Sequence, residues 1–325
     1  MLAASAANLD IYWIDVEGGG ATLLVTPARE TILIDSGENK AHHAARMHDA
    51  VRSAGLNRID HHIVTHWHAD HYGGTYALSK LLPIRNYYAG TPFPDRVDDD
   101  PQFSVLMPLF KKANRGKPRI LAPGDVIPLR QVSGYPEVRV RVIGGNRRQI
   151  AARSGGPSNL ACGAPVVAPR FDDGENAMSL VLMIEYGKFR FLNAGDVTWH
   201  IEERLACPAD LIGKVDLFQV THHGLDRSNN PHLIRSIQPL VAVVNNGPQK
   251  GSEPNTMRTL LGAKEPAVVW ALYANLKTGP DLNPPAQRIA NPAGTPGGRG
   301  LRASVQPGGT FTVQIGDDGH KEEYR

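Results

Sequence analysis

The chain has 325 residues, of which 41% are hydrophobic and 21% charged, and its formal net charge is +3 at pH 7. This composition excludes a disordered or collagen-like chain. The sequence contains no run of about eighteen apolar residues, the length that a membrane-spanning helix needs. We therefore expect a soluble globular protein, with enough chain for one large domain or two small ones.

The first eight residues are mostly small and end just before the first strand pattern. They resemble the end of a secretory signal, so residues 1–8 are expected to be a residual signal or linker segment. This interpretation places the protein in the periplasm or outside the cell, with the cytoplasm as the alternative. Residues 9–325 are expected to form a single domain.

Alternating apolar residues predict strands in both halves of the chain. The predicted strands are 9–16, 21–26, 31–35, 60–65, 84–88, 138–143, 178–186, 188–194, 215–221, 240–245, 267–272 and 310–315. Helical patterns occupy 40–54, 75–82, 102–114, 199–205, 232–237 and 255–261. Segments 144–174 and 278–300 are rich in Gly and Pro and are predicted to be long surface loops. Strand pairs interleaved with helices predict two sheets with helices on their outer faces.

The chain has two cysteines, Cys162 and Cys207. Two cysteines are too few for a disulfide framework and lack the paired spacing of a zinc ribbon. Two interpretations stay open: two inert buried thiols, or one disulfide formed in an oxidising compartment.

Three histidines and an aspartate follow the predicted strand 60–65, namely His66, His68, Asp70 and His71. Neutral imidazole and carboxylate are preferred ligands of zinc and similar divalent ions. Side chains two residues apart at a strand end can converge on one ion, while the following turn brings in the next pair. The motif therefore predicts a metal site, and a solvated histidine-rich loop is the alternative.

Further ligand-type residues stand at the carboxyl ends of other predicted strands, at Asp35, Asp196, His222 and His223. Each has an ordinary structural explanation, as a turn cap, a helix N-cap or a buried imidazole. Taken together, they indicate that side chains from distant parts of the sequence meet at one rim of the sheets.

This series of residues resembles the metallo-β-lactamase superfamily, over residues 9–275. Within that superfamily, Phe191-Leu-Asn-Ala-Gly-Asp196, Val220-Thr-His-His-Gly224 and Ser228 look most like the hydrolase domain of ComEC-type competence proteins and their stand-alone relatives. The resemblance implies an α/β (α+β) fold, an αββα sandwich of two mixed β-sheets with helices on the outer faces. It also places the metals at the rim between the two sheets.

Residue by residue, the resemblance implies two metal positions. His66 and His68 would bind one metal, Asp70 and His71 would bind a second, and Asp196 would bridge both. These five side chains all follow predicted strands, so the implied ligand set is consistent with the strand pattern.

The resemblance also implies that His222 or His223 completes the second site, and that Asp35 orients a ligand histidine or the bound water. The chain departs from the common pattern, because no histidine lies between Tyr72 and Trp199, where many members carry another ligand. The other histidine of the 222–223 pair could fill this position, the site could be weak and the enzyme use one ion, or a loop carboxylate such as Asp95 could serve.

The implied cofactor is one or two zinc ions, with manganese and iron as alternatives, and the implied enzyme is a hydrolase that uses a metal-activated water. Asp70 is expected to orient that water or accept its proton because a ligand carboxylate has a free oxygen within reach. Asp70 and Asp35 are therefore the candidate catalytic residues.

The substrate is expected to be a small or anionic molecule. Segment 111–170 carries twelve Lys or Arg residues and two acids, a net charge of +10, which favours phosphodiesters or phosphoesters and allows for nucleic acid without requiring it. The ordinary explanation is a solvated strand face, since Arg139 and Arg141 alternate with valines. Carboxylic esters, lactones or β-lactams are the alternative substrates, and a non-catalytic binding module is a third possibility. The oligomeric state is left open.

Two further groups of residues have both a functional and an ordinary interpretation. Asn245 and Asn246 follow a strand end at the expected rim and could donate to a developing oxyanion, or could form a turn. His42 and His43, in the first predicted helix, are expected to be solvated rather than metal-bound.

Overall fold

The computed structural model describes residues 8–116, 118–152, 158–163, 166, 171–263 and 266–325. The proposed signal segment, apart from Asn8, lies outside these residues. The strands are β1 Leu9–Trp13, β2 Thr22–Val25, β3 Thr31–Ile34, β4 Ile59–Val64, β5 Ile84–Ala89, β6 Arg119–Ile120, β7 Val138–Gly145, β8 Arg148–Gln149, β9 Val181–Tyr186, β10 Phe189–Asn193, β11 Leu217–Gln219, β12 Val241–Val244, β13 Val268–Tyr273, β14 Ile289–Asn291, β15 Leu301–Val305, β16 Phe311–Ile315 and β17 Lys321–Tyr324.

The α-helices are α1 Ala41–Ser53, α2 Ala69–Tyr72, α3 Thr75–Leu81, α4 Phe103–Asn114, α5 Trp199–Ala206, α6 Pro231–Ile237 and α7 Pro254–Leu261. Short 3-10 helices occupy Glu175–Met178, Thr221–Gly224, Pro280–Leu282 and Ala286–Arg288.

The strands of the described residues form two mixed sheets. The first has the order β17-β16-β15-β1-β2-β3-β4-β5-β6, and the second has the order β14-β13-β12-β11-β10-β9-β7-β8. Each sheet combines antiparallel pairs, such as β1 with β2 and β9 with β10, with parallel pairs, such as β3 with β4 and β10 with β11. The predicted fold class is confirmed.

The two sheets pack face to face through a continuous apolar core. Leu9, Ile11 and Trp13 of β1 and Leu182 and Ile184 of β9 belong to this core, and all are almost completely buried. Their spacing of two residues is the period of a strand with one face turned inward.

Helices cover the outer face of each sheet, as the alternation of strands and helices predicts. In α1, Ala44, Met47 and Val51 lie three and four residues apart, form one apolar stripe, and pack with Leu23 and Leu33 on the outer face of the first sheet. The second sheet is covered in the same way by apolar residues of α5, α6 and α7.

The carboxyl ends of the parallel strands meet at one rim of the sandwich. Four of these strands, β3, β4, β10 and β11, run directly into segments that carry candidate ligands. Ligands in sheets of this kind bind outside the carboxyl ends of the strands, so the topology positions the site before any side chain is considered.

The structure differs from the predicted elements mainly at the end of the chain. β14 lies inside segment 278–300, which was predicted to be a loop, because three buried residues are too few to show a strand period. β15 was also missed, although it pairs with β1 along its whole length. In segment 144–174, β7 extends to Gly145 and the two-residue β8 follows it.

Cys162 and Cys207 form a disulfide, with their Cα atoms 5.8 Å apart. The bond ties the segment around Asn159 to the end of α5, where Asn159 N donates to Pro208 O at 2.7 Å. Of the two interpretations left open by the sequence, the structure has the disulfide.

Candidate metal centre

Asp70, His71, Asp196 and His223 bring their ligand atoms within 4.8 Å of one another. Asp70 and His71 lie in α2, Asp196 follows β10, and His223 lies in the 3-10 helix after β11. The structure therefore brings together four of the seven predicted ligands in one buried cluster, although 152 residues separate His71 from His223.

Asp196 lies at the centre of the site. Its Oδ2 is 3.2 Å from His71 Nε2, 3.3 Å from His223 Nε2 and 3.4 Å from His222 Nε2. Although burial raises the pKa of a carboxyl group, His223 and His71 hold the pKa of Asp196 well below its usual range. Asp196 is therefore a carboxylate shared by three imidazoles.

His222 and His223 both lie beside Asp196 Oδ2, on a backbone of uncommon conformation. Both residues have positive φ, 54° and 57°, which is rare for residues other than glycine and uncommon as a consecutive pair. His222 Nδ1 lies 3.1 Å from Ser228 Oγ, which in turn donates to Val197 O at 2.7 Å. His222 is thereby held by a second contact, and burial lowers its pKa to about 3, so its ring stays neutral.

The donor set fits a divalent cation. His71 Nδ1 faces Asp35 and carries the proton there, so His71 Nε2 presents a lone pair 3.2 Å from both His223 Nε2 and Asp196 Oδ2. A divalent cation placed among these groups could bind His71 Nε2 and Asp196 Oδ2 together. Burial disfavours a charged His71, but Asp196, Asp70 and Asp35 raise its pKa well above the usual value, so in the metal-free protein a proton can take this place.

Asp35 binds three groups of Thr65 and His71. Its Oδ1 accepts from Thr65 N at 2.8 Å, and its Oδ2 accepts from Thr65 Oγ1 and lies on His71 Nδ1, each at 2.8 Å. Gly20 packs directly behind this pair, where a Cβ atom would lie 2.8 Å from His71 Nδ1 and 2.9 Å from Asp35 Oδ2. Asp35 thus contacts one candidate ligand histidine, His71, as the proposed orienting role requires.

His66 and His68 form a second group beside the cluster. His66 Nε2 lies 3.0 Å from His68 Nδ1, and the rings of His66 and His71 lie 4.1 Å apart. Burial, together with His71 and His68, lowers the pKa of His66 well below its usual value. His66 therefore stays neutral, the form in which imidazole binds metal.

His68 and His222 line one cavity of about 370 Å³, together with Asp70 and Asp196. This arrangement is consistent with His222 as the ligand that replaces the missing mid-chain histidine. Asp99 also faces this cavity, and its Oδ1 lies 3.0 Å from His68 Nε2. The suggested substitute Asp95 instead lines a different cavity, so the loop carboxylate that contacts the site is Asp99.

Lys250, which sequence reasoning missed, reaches into the cluster. Its Nζ lies 2.5 Å from Asp70 Oδ2. Although burial raises the pKa of a carboxyl group, Lys250 and His71 hold the pKa of Asp70 well below its usual range. The sequence feature that could have indicated Lys250 is its position in the loop after β12, because the carboxyl ends of the parallel strands meet at the rim that carries the site.

The two asparagines considered as oxyanion donors have structural roles. Asn246 donates to Tyr273 O at 2.8 Å and accepts from Tyr273 N at 3.0 Å, while Asn245 donates to Gly19 O at 3.3 Å. Both side chains are buried. Because their amide nitrogens bind main-chain carbonyls, the structure favours the structural interpretation of these two residues over the oxyanion donor.

The expectation that both His42 and His43 are solvated is wrong for His43, and the ligand atoms of the two histidines and Glu17 lie close enough together to hold a metal ion. His42 is exposed and its Nε2 lies 2.9 Å from Glu17 Oε1, whereas His43 is fully buried. His43 lies on the inward face of α1 beside Ala44 and Met47. A one-residue step turns a helical side chain by about 100°, so adjacent residues face different surroundings.

None of the described Lys and Arg residues of segment 111–170 lines the cavity that contains His68, Asp70 and Asp196. Arg139 and Arg141 lie on the outward face of β7, between buried valines, as the solvated-face explanation predicts. Arg139 pairs with Glu137 at 2.7 Å, and Arg130 pairs with Glu30 at 3.2 Å. Lys117, Arg153 and Arg170 lie outside the described residues.

Residues 15–144 match the sequence model of the metallo-β-lactamase superfamily. This stretch contains Asp35, the cavity-lining residues His68 and Asp70, and the strands β3 and β4 that precede them. This part of the chain is therefore similar to the metallo-β-lactamase superfamily. This similarity and the cluster of ligand-type side chains support the predicted class of enzyme, a metallo-hydrolase, and the fold described above is the one the resemblance implies.

Two curated proteins are similar to short stretches of the chain. An atrochrysone carboxyl ACP thioesterase of Passalora fulva is 32% identical over 78 residues, which is 24% of this chain and 23% of that protein. Recombination protein 2 of Haemophilus influenzae is 33% identical over 73 residues, which is 22% of this chain and 9% of that protein. The matched stretches thus span less than a quarter of either relative.

Among solved structures, the metallo-β-lactamase SMB-1 in a complex with mercaptoacetic acid is 20% identical. The superposition covers 63% of this chain and 74% of that one, with a TM-score of 0.40. This likeness concerns the fold alone.

Proposed function

We propose that this protein is a metal-dependent hydrolase that acts on phosphodiesters or phosphoesters. The observation that carries the proposal is the position of Asp196, whose Oδ2 lies between the His71–His223 pair and His222. A carboxylate in this position can serve two cations, one with Asp70, His71 and His223 and the other with His66, His68 and His222. The role of each of these residues as a ligand is part of the proposal.

The proposed cofactor is zinc, in one or two ions, with manganese and iron as alternatives. The donor set consists of imidazole nitrogens and carboxylate oxygens, which suit these ions. When bound, such ions lower the pKa of a coordinated water from about 15.7 to about 7 and stabilise charge that develops on the substrate.

The protein's own groups supply orientation and proton transfer. Asp35 fixes the tautomer of His71 through the 2.8 Å contact to Nδ1, so that Nε2 would be available to bind a cation. Asp70 is assigned to orient the attacking water or accept its proton, because its carboxylate lines the cavity in which a substrate must lie.

The cavity is lined by five acidic and two basic residues, so its wall favours an anionic substrate only when two divalent ions are bound, which would change its net charge from −3 to +1. Lys250 and Arg227 both line the cavity that contains His68, Asp70 and Asp196. Two cations beside a metal centre attract phosphate oxygens more strongly than a neutral ester. The match to recombination protein 2 agrees with a phosphodiester, and nucleic acid is one such substrate.

Hydrolysis of carboxylic esters, lactones or β-lactams is the second candidate function. The observation that favours it is the match to a carboxyl ACP thioesterase, which covers a stretch of similar length and identity. The two candidates share the same metal chemistry and differ in the substrate that the cavity accepts.

We also propose that the protein works in an oxidising compartment, the periplasm or the cell exterior. The disulfide between Cys162 and Cys207 supports this proposal, because disulfides persist mainly in such compartments. In the described part of the chain, no helix is long and apolar enough to cross a membrane.

The test is turnover of bis(p-nitrophenyl) phosphate, a chromogenic β-lactam and a simple lactone by the zinc- or manganese-loaded enzyme, each with a chelated control. We expect phosphodiester cleavage that the chelator abolishes. Turnover confined to the lactam or the lactone would transfer the assignment to carboxylic substrates. An absence of metal-dependent turnover on all three would count against both candidates.

A further inference from the structure

Lys250 is the cation nearest to the buried ligand cluster in the part of the chain that the structure describes. Its Nζ lies 2.5 Å from Asp70 Oδ2, and the same oxygen lies 3.4 Å from His223 Nε2 and 3.6 Å from His71 Nε2. The ammonium group therefore occupies the edge of the space in which a cation held by Asp70, His71 and His223 would lie.

The backbone around Lys250 is tied to the ligand segment. Gly247 N donates to Lys250 O at 2.9 Å, and Ser252 N donates to His223 O at 3.1 Å. The loop that carries Lys250 is thus attached to the segment that carries His223. Its side chain has four rotatable bonds and three donor hydrogens, so the ammonium can change partner while the loop stays in place.

A metal ion and the Lys250 ammonium compete for one carboxylate oxygen. Both are positive, and at a separation of a few ångströms in a largely buried site their repulsion is screened only weakly. Asp70 Oδ2 therefore cannot serve both cations at full strength. When the cluster holds a metal, the ion pair between Lys250 and Asp70 is weakened, and the Lys250 ammonium is available to bind another anion.

The cavity offers few other anionic partners to Lys250. Of the other acidic residues on its wall, Asp196 belongs to the ligand cluster and Glu38 pairs with Lys40 at 2.9 Å. Asp99 contacts His68 at 3.0 Å, and Asp100 accepts from Gln102 N at 2.9 Å. The second cation on the wall, Arg227, lies 3.5 Å from Asp172. In the metal-loaded protein, Asp70 would bind the metal, and Lys250 would lie beside the ligand cluster without Asp70 as its partner. An anion that enters the cavity could therefore bind the Lys250 ammonium.

We propose that Lys250 is the anion-binding residue of this site, and that in the metal-loaded protein its ammonium donates to a non-bridging phosphate oxygen of the substrate. The proposal rests on the proposed function, because a phosphate group as ligand follows from a phosphoester substrate. It assigns to Lys250 two effects of opposite sign: it weakens metal binding through repulsion and strengthens phosphate binding through a charge-assisted hydrogen bond.

The experiment measures two affinities of the full-length protein, that of the metal-free protein for zinc and that of the zinc-loaded protein for inorganic phosphate. Competition with a chromophoric chelator gives the first, and isothermal titration calorimetry gives the second. The variants are Lys250→Met and Lys250→Arg, with Lys277→Met as the matched control. Lys277 is exposed and its Nζ donates to Gln249 O at 3.0 Å, so it contacts the same loop without reaching the ligand cluster.

We expect Lys250→Met to bind zinc at least as tightly as the wild type and phosphate about 10- to 100-fold more weakly, the worth of a hydrogen bond between charged groups. Lys250→Arg should keep most of the phosphate affinity, and Lys277→Met should match the wild type in both. A loss of zinc affinity in both Lys250 variants would overturn the proposal, because it would make Lys250 a support for Asp70. Unchanged phosphate affinity in Lys250→Met, or a wild type that binds no phosphate, would also overturn it.

The same measurements separate this proposal from the proposed function. If the zinc-loaded wild type cleaves no phosphodiester but binds phosphate through Lys250, the substrate assignment fails and the anion site stands. If the wild type cleaves phosphodiesters and Lys250→Met does so with unchanged KM and phosphate affinity, the substrate assignment stands and the role of Lys250 fails.

Discussion

Asp35 Oδ2 lies 2.8 Å from Nδ1 of His71, and the two residues are 36 positions apart in the sequence. The contact places the proton of the imidazole on Nδ1 and directs the lone pair of Nε2 at Asp196 and His223. Carboxylates that support a ligand histidine in this way raise its basicity and fix its orientation. The contact therefore links the end of β3, in the first sheet, to the candidate metal centre.

We expect Asp35→Asn to lower zinc affinity by about 10- to 100-fold, the range typical for loss of such a supporting group. Zinc competition with a chromophoric chelator measures this effect. Asp60→Asn is the matched control, since Asp60 is equally buried and binds Thr31 and Arg58 at the opposite end of β4. Equal zinc affinity in Asp35→Asn and the wild type would show that Asp35 supports the fold alone.

The disulfide should contribute to stability, because it closes a loop with a sequence separation of 45 residues. We expect the double variant Cys162→Ser/Cys207→Ser to lose about 2–4 kcal/mol of unfolding free energy. Urea denaturation of both proteins without reductant measures the difference. Non-reducing mass spectrometry of the wild type should show a chain lighter by two hydrogen atoms than the reduced form, and two free thiols would contradict the disulfide.

Glu202 should make stability depend on pH. Burial in α5 raises its pKa from 4.5 to about 7, against the opposing effect of the hydrogen bond from Asn230 N at 2.7 Å. The folded state therefore holds this proton more tightly than the unfolded state does, so the contribution is complete below about pH 4.5 and is lost as the pH rises to about 7.

We expect the stability of the wild type, relative to Glu202→Gln, to fall by up to about 3 kcal/mol across that interval. Urea denaturation of the metal-free proteins at a series of pH values gives the profile. The control is Glu185→Gln, at a partly exposed position in β9, and its unfolding free energy should depend on pH in the same way as that of the wild type. Parallel profiles for the wild type and Glu202→Gln would contradict the prediction.

Much of the architecture could be predicted from local sequence patterns. Strands such as β9 and β10 alternate or concentrate apolar residues, and α1 carries an apolar stripe at Ala44, Met47 and Val51. The positions of Asp35, Asp196 and His222 at strand ends were also informative, because parallel strands bring their carboxyl ends to one rim.

The contacts that complete the site could not be predicted in the same way. Lys250 meets Asp70 across 180 residues, and Asp99 meets His68 from a loop with no periodic pattern. A single charged residue in a loop looks like any solvated residue until the fold brings it to a partner. The positive φ angles of His222 and His223 were equally hidden, since the sequence marks such conformations mainly through glycine or asparagine.

The most direct test of the central claim is the zinc content of the purified, zinc-reconstituted protein by elemental mass spectrometry, compared among the wild type, His68→Ala, Asp196→Ala and the control Asp95→Ala. Far-UV circular dichroism verifies that each variant is folded. We predict that His68→Ala and Asp196→Ala lose bound zinc and phosphodiesterase activity, and that Asp95→Ala keeps both. A folded Asp196→Ala variant with the zinc content and activity of the wild type would contradict the account.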